Sequence, residues 1–199
     1  MTDRPIIFSA PMILALQAGR KTQTRRVEGS PLRHCHIGDR LWVREAFTLT
    51  QHDKPVYRAD ACDQTGVRWS SIVPGDPNGE VLWRPSIHMP RWASRLTLVV
   101  IDVRRQRLQD ISEADAQAEG IEPGVDHHGR PGGWKSYETY PDGSPHPHAI
   151  APNREAKTSF RELWETLHGH GSWAANPEVI AISFQVEKIN IDQMQEAAE

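Results

Sequence analysis

Gly19-Arg20-Lys21-Thr22-Gln23-Thr24-Arg25-Arg26 decides how this chain is read. The stretch packs four cations around two hydroxyls with no acid between them, whereas ordinary surface charge is relieved by interleaved charges of opposite sign. A plain solvated turn between a helix and a strand is one reading. A basic edge that holds phosphates is a second. In the third, burial and the neighbouring cations push the proton off Lys21, which then serves as a base for Thr24. Strand-like alternation from Lys21 to Val27 puts Thr22, Thr24 and Arg26 on one face. Lys21 and Thr24 therefore meet only if Lys21 still lies in the turn, or if the strand bends there.

Toward the N-terminus, Ile6-Ile7-Phe8 reads as a short strand, Ser9 as the cap of the next helix and Pro11 as a first-turn residue. Met12 to Leu16 is apolar on every side, so this helix is expected to be buried, with Gly19 ending it. Downstream, Gly38-Asp39 turns into a strand from Arg40 to Phe47, beside which Val56 to Ala59 can pair. Leu96 to Val103 is the strongest strand, its run Leu98-Val99-Val100-Ile101 suggesting burial on both faces. Ser112-Glu113-Ala114-Asp115 reads as a capping box opening a helix that ends at Glu119, before Gly120. A carboxylate in the last turn opposes the helix dipole, so Glu119 is either a surface residue or one held by a cation across a cleft. Asn153 is expected to cap an amphipathic helix that turns Ala156, Phe160, Leu163, Trp164 and Leu167 to the core and ends at Gly169. Val179 to Val186 then closes the fold with Ile180, Ile182, Phe184 and Val186 on one face. The sum is an α+β domain, a small mixed or barrel-like sheet flanked by about three helices. One domain is expected over 1–190, with an insertion at 122–152 and a frayed tail at 191–199.

Composition narrows the function. The 199 residues carry a net charge of -3, so nucleic-acid contact has to come from a local patch rather than from the whole molecule. Hydrophobic content of 38% fills a single core, while 15 prolines and a mean hydropathy of -0.59 indicate much exposed loop. Cys35 and Cys62 form no CxxC pair or disulfide framework, which fits a reducing cytosol. No secretory signal follows Met1-Thr2-Asp3-Arg4, and no apolar run approaches the roughly eighteen residues of a membrane span. A cytoplasmic protein with no membrane partner is expected.

Other signals are weaker. Adjacent residues in His34-Cys35-His36 point apart on an extended chain and lack a second cluster at zinc spacing. His127, His128, His146 and His148 read as a histidine-rich loop, and Gly129-x-x-Gly132-Gly133 lacks the flanking strand and helix of a phosphate loop. No metal and no cofactor is expected.

The order of a buried helix, a GRKTxTxR stretch, a Gly-Asp turn into a strand, a Ser-Glu-capped helix ending in Glu and a last strand resembles the ASCH domain of the PUA-like superfamily. The similarity spans most of the chain outside 122–152. Gly38 to Glu45, Arg84 to Arg91 and Asn176-Pro177 look like the larger ASCH proteins of phages and prophages. Ala18-Gly19-Arg20-Lys21-Thr22-Gln23-Thr24 matches, at every fixed position, the Ala-Gly-Arg-Lys-Thr-x-Thr motif of smaller bacterial ASCH proteins that hydrolyse N(4)-acetylcytidine. The resemblance implies a metal-independent amidohydrolase with a Thr–Lys–Glu triad. Its members fall on Thr24, Lys21 and Glu119, with Glu113, Glu122 and Asp115 close enough to compete for the last role. Arg25 departs from the apolar residue of that pattern. The implied substrate is a small N(4)-acylated cytosine base or nucleoside. Arg26, Glu45 and Arg91 are candidates for its edge or phosphate, and Trp42, Trp83 and Trp92 offer a π-face, although core packing is the weightier reading of each tryptophan. An RNA-binding ASCH module, or a ribonuclease, is the alternative.

Overall fold

In the computed structural model, which describes residues 1–61, 81–126, 128–138 and 152–196, the elements follow one another as β1 (Asp3–Ile7), α1 (Ala10–Gln17), β2 (Gln23–Val27), β3 (Arg40–Arg44), β4 (Phe47–Leu49), β5 (Pro55–Tyr57), α2 (Arg58–Ala61), β6 (Thr97–Arg107), α3 (Glu113–Ala118), β7 (Pro123–Val125), β8 (Pro131–Trp134), α4 (Ala156–His168), β9 (Glu178–Glu187) and α5 (Gln193–Glu196). Five strands form a mixed sheet in the order β1-β3-β6-β9-β2. The order begins at β1 and ends at β2, so among the described residues the sheet stays open and the barrel-like closure expected from the sequence is absent. Two compact units are built from interleaved stretches of chain, and β6 and β9 contribute to both.

The first unit comprises Met1–Gln17, Gly38–Val100 and Gln185–Glu199. Here β1 runs parallel to β3, and β3 pairs antiparallel with the start of β6. Ile13, Ala15 and Leu16 of α1 are buried, as the all-apolar helix requires. The strand expected over Arg40 to Phe47 is two strands, broken at Glu45 and Ala46, and β5 pairs with β4 rather than β3. Burial on both faces of β6 is confined to its beginning, since Ile101 is 48% exposed. The tail expected to fray past Asn190 starts instead with Ile191 fully buried, while the Asn190 amide donates to the carbonyls of Arg91, Trp92 and Ser94.

The second unit comprises Ala18–Ile37 and Ile101–Phe184. Its core gathers Leu108, Ile111, Ala116 and Ile121 around α3 against Ala156, Phe160 and Trp164 of α4 and Val179 of β9. Ser112 caps α3 by accepting from the Asp115 amide, and Gly120 follows Glu119 at φ 85°, the left-handed turn that ends such a helix. Asn153 does not cap α4. Its side chain donates to Glu162, and the first free amides of α4, those of Ala156 and Lys157, are received by the Glu113 carboxylate at 2.7 and 3.2 Å. An ionised group at that place meets the positive end of the helix dipole. Leu167, expected in the core, is exposed at the far end of α4. The first part of the 122–152 insertion is the β7–β8 hairpin, tied back by paired Trp134 and Asn153 backbone bonds. Gly133 is required there: it has φ 62°, and a Cβ on it would fall 2.2 Å from the Asn153 carbonyl oxygen. His127, Tyr140, His146, His148 and Cys62 lie outside the described residues.

Candidate functional site

Gly19, at φ 71°, turns the chain into β2, and Lys21 sits in that turn rather than in the strand. The backbone of Lys21 makes an isolated antiparallel bridge with Glu119, and the Thr22 amide donates to the Ala118 carbonyl at 2.9 Å. Main-chain pairing thus brings the basic turn to the C-terminal end of α3, about a hundred residues on in sequence. Beyond it β2 runs antiparallel to β9, with Thr24 opposite Ile182.

Side chains complete the junction. Lys21 Nζ donates to the Glu119 carbonyl at 2.7 Å, to the Gln23 carbonyl at 2.9 Å and to Glu119 Oε2 at 3.1 Å. The other oxygen of that carboxylate, Oε1, receives Arg25 Nη1 at 2.9 Å. Arg25 Nη2 lies 3.2 Å from Asp115 Oδ2, close enough for charge attraction but misaligned for a hydrogen bond. Gln23 links the group, accepting from Arg25 Nη1 and donating to Asp115 Oδ1 and Ser183 Oγ. Arg104 of β6 reaches Asp115 Oδ1 at 2.9 Å. Lys21, Thr24 and Arg25 are each 2% exposed and Glu119 5%. The sequence spacing explains the convergence: Lys21, Gln23 and Arg25 alternate onto one side of the chain, and Asp115 and Glu119, four apart, share one face of α3.

Thr24 occupies the intervening position, and the resting geometry ties it to Lys21 through the peptide between residues 23 and 24, whose carbonyl receives Nζ. Arg26 is two residues along the same strand face as Thr24 and half-buried. Burial, and after it the Arg26 charge, lowers the pKa of His168, whose ring packs on Trp164 with centroids 4.0 Å apart. Arg20 reaches the Gly120 and Ile121 carbonyls at 3.4 Å, among the free acceptors past the helix end. Arg20, Lys21 and Arg25 therefore bond to the chain itself.

Burial is the largest influence on Lys21 and lowers its pKa; the Glu119 charge and hydrogen bond oppose it, and the charges of Arg26 and Arg25 reinforce it. For Asp115, burial alone would raise the pKa, but hydrogen bonds from Arg104 and Gln23 and the charges of Arg25 and Arg104 outweigh it and bring the value down to about 2. A carboxyl depressed in the folded state contributes stability at pH values above its unfolded value, and that contribution is lost as pH falls through the folded value. Asp115→Asn should accordingly cost about 2 kcal/mol near neutral pH and progressively less toward about pH 2. Urea unfolding at several pH values measures this, and a deficit constant with pH would contradict it.

Glu45, Arg91 and Trp92, expected against the substrate, belong to the first unit. Glu45 is 2% exposed and receives both prongs of the Arg95 guanidinium, at 2.8 and 3.0 Å. Arg95 also donates to Asp60 and lies 3.9 Å from the Tyr57 ring centroid. Burial raises the Glu45 pKa against the opposing pull of Arg95, and pushes the Tyr57 phenol up to about 12. Arg91 is held between Asp3 and Asp192. Trp92, which core packing should have hidden, is 56% exposed. These contacts make Glu45 and Arg91 members of ion pairs within their own unit.

Sequence reasoning passed over Gln23 and His168 as site residues, and weighed Arg25 only as a cation near Lys21 and Asp115 only as a competitor for the role of Glu119. The i,i+4 spacing of Asp115 and Glu119 was the available signal for a second carboxylate on the same helix face. Compared with protein-family models, curated proteins and solved structures, the chain matches none.

Proposed function

We propose that this chain removes acyl groups from the exocyclic amine of N(4)-acylated cytosine or cytidine, with Thr24 as nucleophile, Lys21 as base and Glu119 as the carboxylate that orients Lys21. The observation that carries this reading is the buried Lys21–Glu119 pair at 3.1 Å, assembled from distant parts of the chain beside Thr24. Buried ion clusters contribute little net stability compared with apolar packing, and titratable groups perturbed by burial and a specific charge partner gather at reactive sites. The resemblance of Ala18–Thr24 to the N(4)-acetylcytidine-hydrolysing ASCH motif supplies the substrate class.

In the resting state all three Nζ protons have acceptors, so Lys21 becomes a base only by losing one. Backbone carbonyls cannot take it; Glu119 or water can. Neutral Lys21 keeps two donors on the Gln23 and Glu119 carbonyls and turns its lone pair to the Thr24 hydroxyl. Thr24 Oγ then attacks the acyl carbonyl as its proton passes to Nζ. The oxyanion collapses, the C–N bond breaks and Nζ returns the proton to the departing cytosine amine. Water, deprotonated by Lys21, next attacks the acyl-threonine; the ester C–O bond breaks and Thr24 recovers its proton. The developing negative charge is assigned to Arg26, two residues along the strand from Thr24. Because Thr24 is 2% exposed, substrate reaches it only when part of the covering chain is displaced. The reaction as written needs no metal, cofactor or membrane.

The test is incubation with N(4)-acetylcytidine in the presence of EDTA, with RNA binding and RNA cleavage measured in parallel. Chelator-resistant release of cytidine is expected. Salt-sensitive RNA binding without deacylation would replace this reading with a binding module, and RNA cleavage abolished by Lys21 and Thr24 substitutions would replace it with a nuclease.

A further inference from the structure

Arg25 is the cation of the stretch with the least exposure and the most constrained surroundings. Its side chain is completely shielded, bonded to Glu119 Oε1 and Gln23 Oε1, set against Asp115 and held 5.8 Å from the Phe160 ring centroid. Among the described residues its Nε has no hydrogen-bond partner, while Nη1 is shared between the Glu119 carboxylate and the Gln23 amide oxygen. The guanidinium is arranged to place charge on one oxygen of the carboxylate whose other oxygen meets Lys21.

We propose that Arg25 is a positioning residue that keeps Glu119 turned toward Lys21, and that its charge sets how tightly Lys21 holds its proton. The second half of this rests on the reading of Lys21 as a base. Among the described residues, the charged groups with the largest effect on Lys21 are Glu119 from the end of α3 and Arg25 and Arg26 from β2. Behind them stand Asp115 of α3, Arg104 of β6 and, beside Arg26, His168 of α4. Arg25 acts in two ways with the same sign. A like charge close by disfavours the ammonium form directly, and a guanidinium on Oε1 draws off part of the negative charge that would otherwise favour it. Removing the Arg25 charge therefore raises the proton affinity of Lys21 and moves base-dependent turnover to higher pH.

The experiment uses the full chain with Arg25→Met, which keeps length and apolar contact with Phe160, and Arg25→Gln as a second neutral replacement should the first fail to fold. Arg25→Lys keeps the charge. Two quantities are read: the pH dependence of kcat/KM for N(4)-acetylcytidine, and the Lys21 side-chain titration by NMR of isotope-labelled lysine, assigned by its loss in Lys21→Met. In the neutral variants both the rising limb of the rate profile and the Lys21 titration should move up by about one pH unit, a roughly tenfold lower rate at neutral pH. Arg25→Lys should leave both nearly in place. A Lys21 titration that stays put or moves down in the neutral variants overturns the proposal. The NMR reading does not depend on turnover, so failure of wild type to deacylate would remove the catalytic reading without deciding the role of Arg25.

Discussion

Lys21→Met should lower kcat for N(4)-acetylcytidine deacylation by about 10³-fold while the protein stays folded. Methionine keeps the length and apolar stem of the side chain but has neither a proton to give nor a lone pair basic enough to take one. Charge balance survives the change, because Glu119 retains Arg25 at 2.9 Å and Asp115 retains Arg104. What is lost structurally is the donor for the Gln23 and Glu119 carbonyls, at about 1–3 kcal/mol for polar groups left unsatisfied. A few degrees of thermal stability should go, and activity should not return on cooling. Steady-state kinetics alongside a melting curve separates the two effects. A variant with unchanged kcat and a lower melting temperature would make Lys21 a structural tether only.

Glu45→Ala should give the opposite pattern, with a large loss of stability and little change in catalysis. The Glu45 carboxylate is 2% exposed and both its oxygens are filled by Arg95. Removing one partner of such a pair leaves a desolvated charge behind, at about 3–5 kcal/mol; Asp60, which still holds Arg95 at 2.8 Å, places the expected cost near the lower figure. For a chain of this length that is a fall in melting temperature of roughly 6–12 °C. Replacing both partners, as Glu45→Gln with Arg95→Met, should recover part of it, since the one charge then left unpaired is the Asp60 carboxylate, which is 34% exposed and open to water. The kcat/KM of the folded fraction should stay within about twofold. A selective rise in KM with normal stability would return Glu45 to the substrate.

The residues that made the fold legible are those whose signal is local. The apolar run from Met12 to Leu16, the Ser112 cap, the glycines at 19 and 120 and the β-branched run of β9 each dictate backbone form from within a few residues. Lys21 sits in the turn, one of the two placements that alternation left open, yet its side chain falls on the side of Gln23 and Arg25 and is tied to Thr24 through the Gln23 carbonyl. What spacing cannot carry is which distant group answers a buried charge. Glu113 receiving the first amides of α4 crosses 43 residues and Arg25 reaching Glu119 crosses 94, and neither leaves a trace in periodicity. The local pattern gave Arg25 as a like charge near Lys21, but not the two carboxylates that face it. Asn153 had the right chemistry for a cap and lost the place to a carboxylate, which meets the helix dipole more strongly. The same reasoning explains the even division of the basic stretch: the positions facing α3 became an internal ion network, and the alternate positions hold Thr24 and Arg26.

Thr24 bears the bond-making step, so its hydroxyl is the most direct test of the account. Release of cytidine from N(4)-acetylcytidine should be measured with wild type and Thr24→Val side by side, valine preserving the branched shape and the pairing of β2 with β9. Turnover by wild type, with a loss of at least about 10³-fold in the folded valine variant, is the predicted result. Equal rates in the two proteins, or none in either, would contradict it.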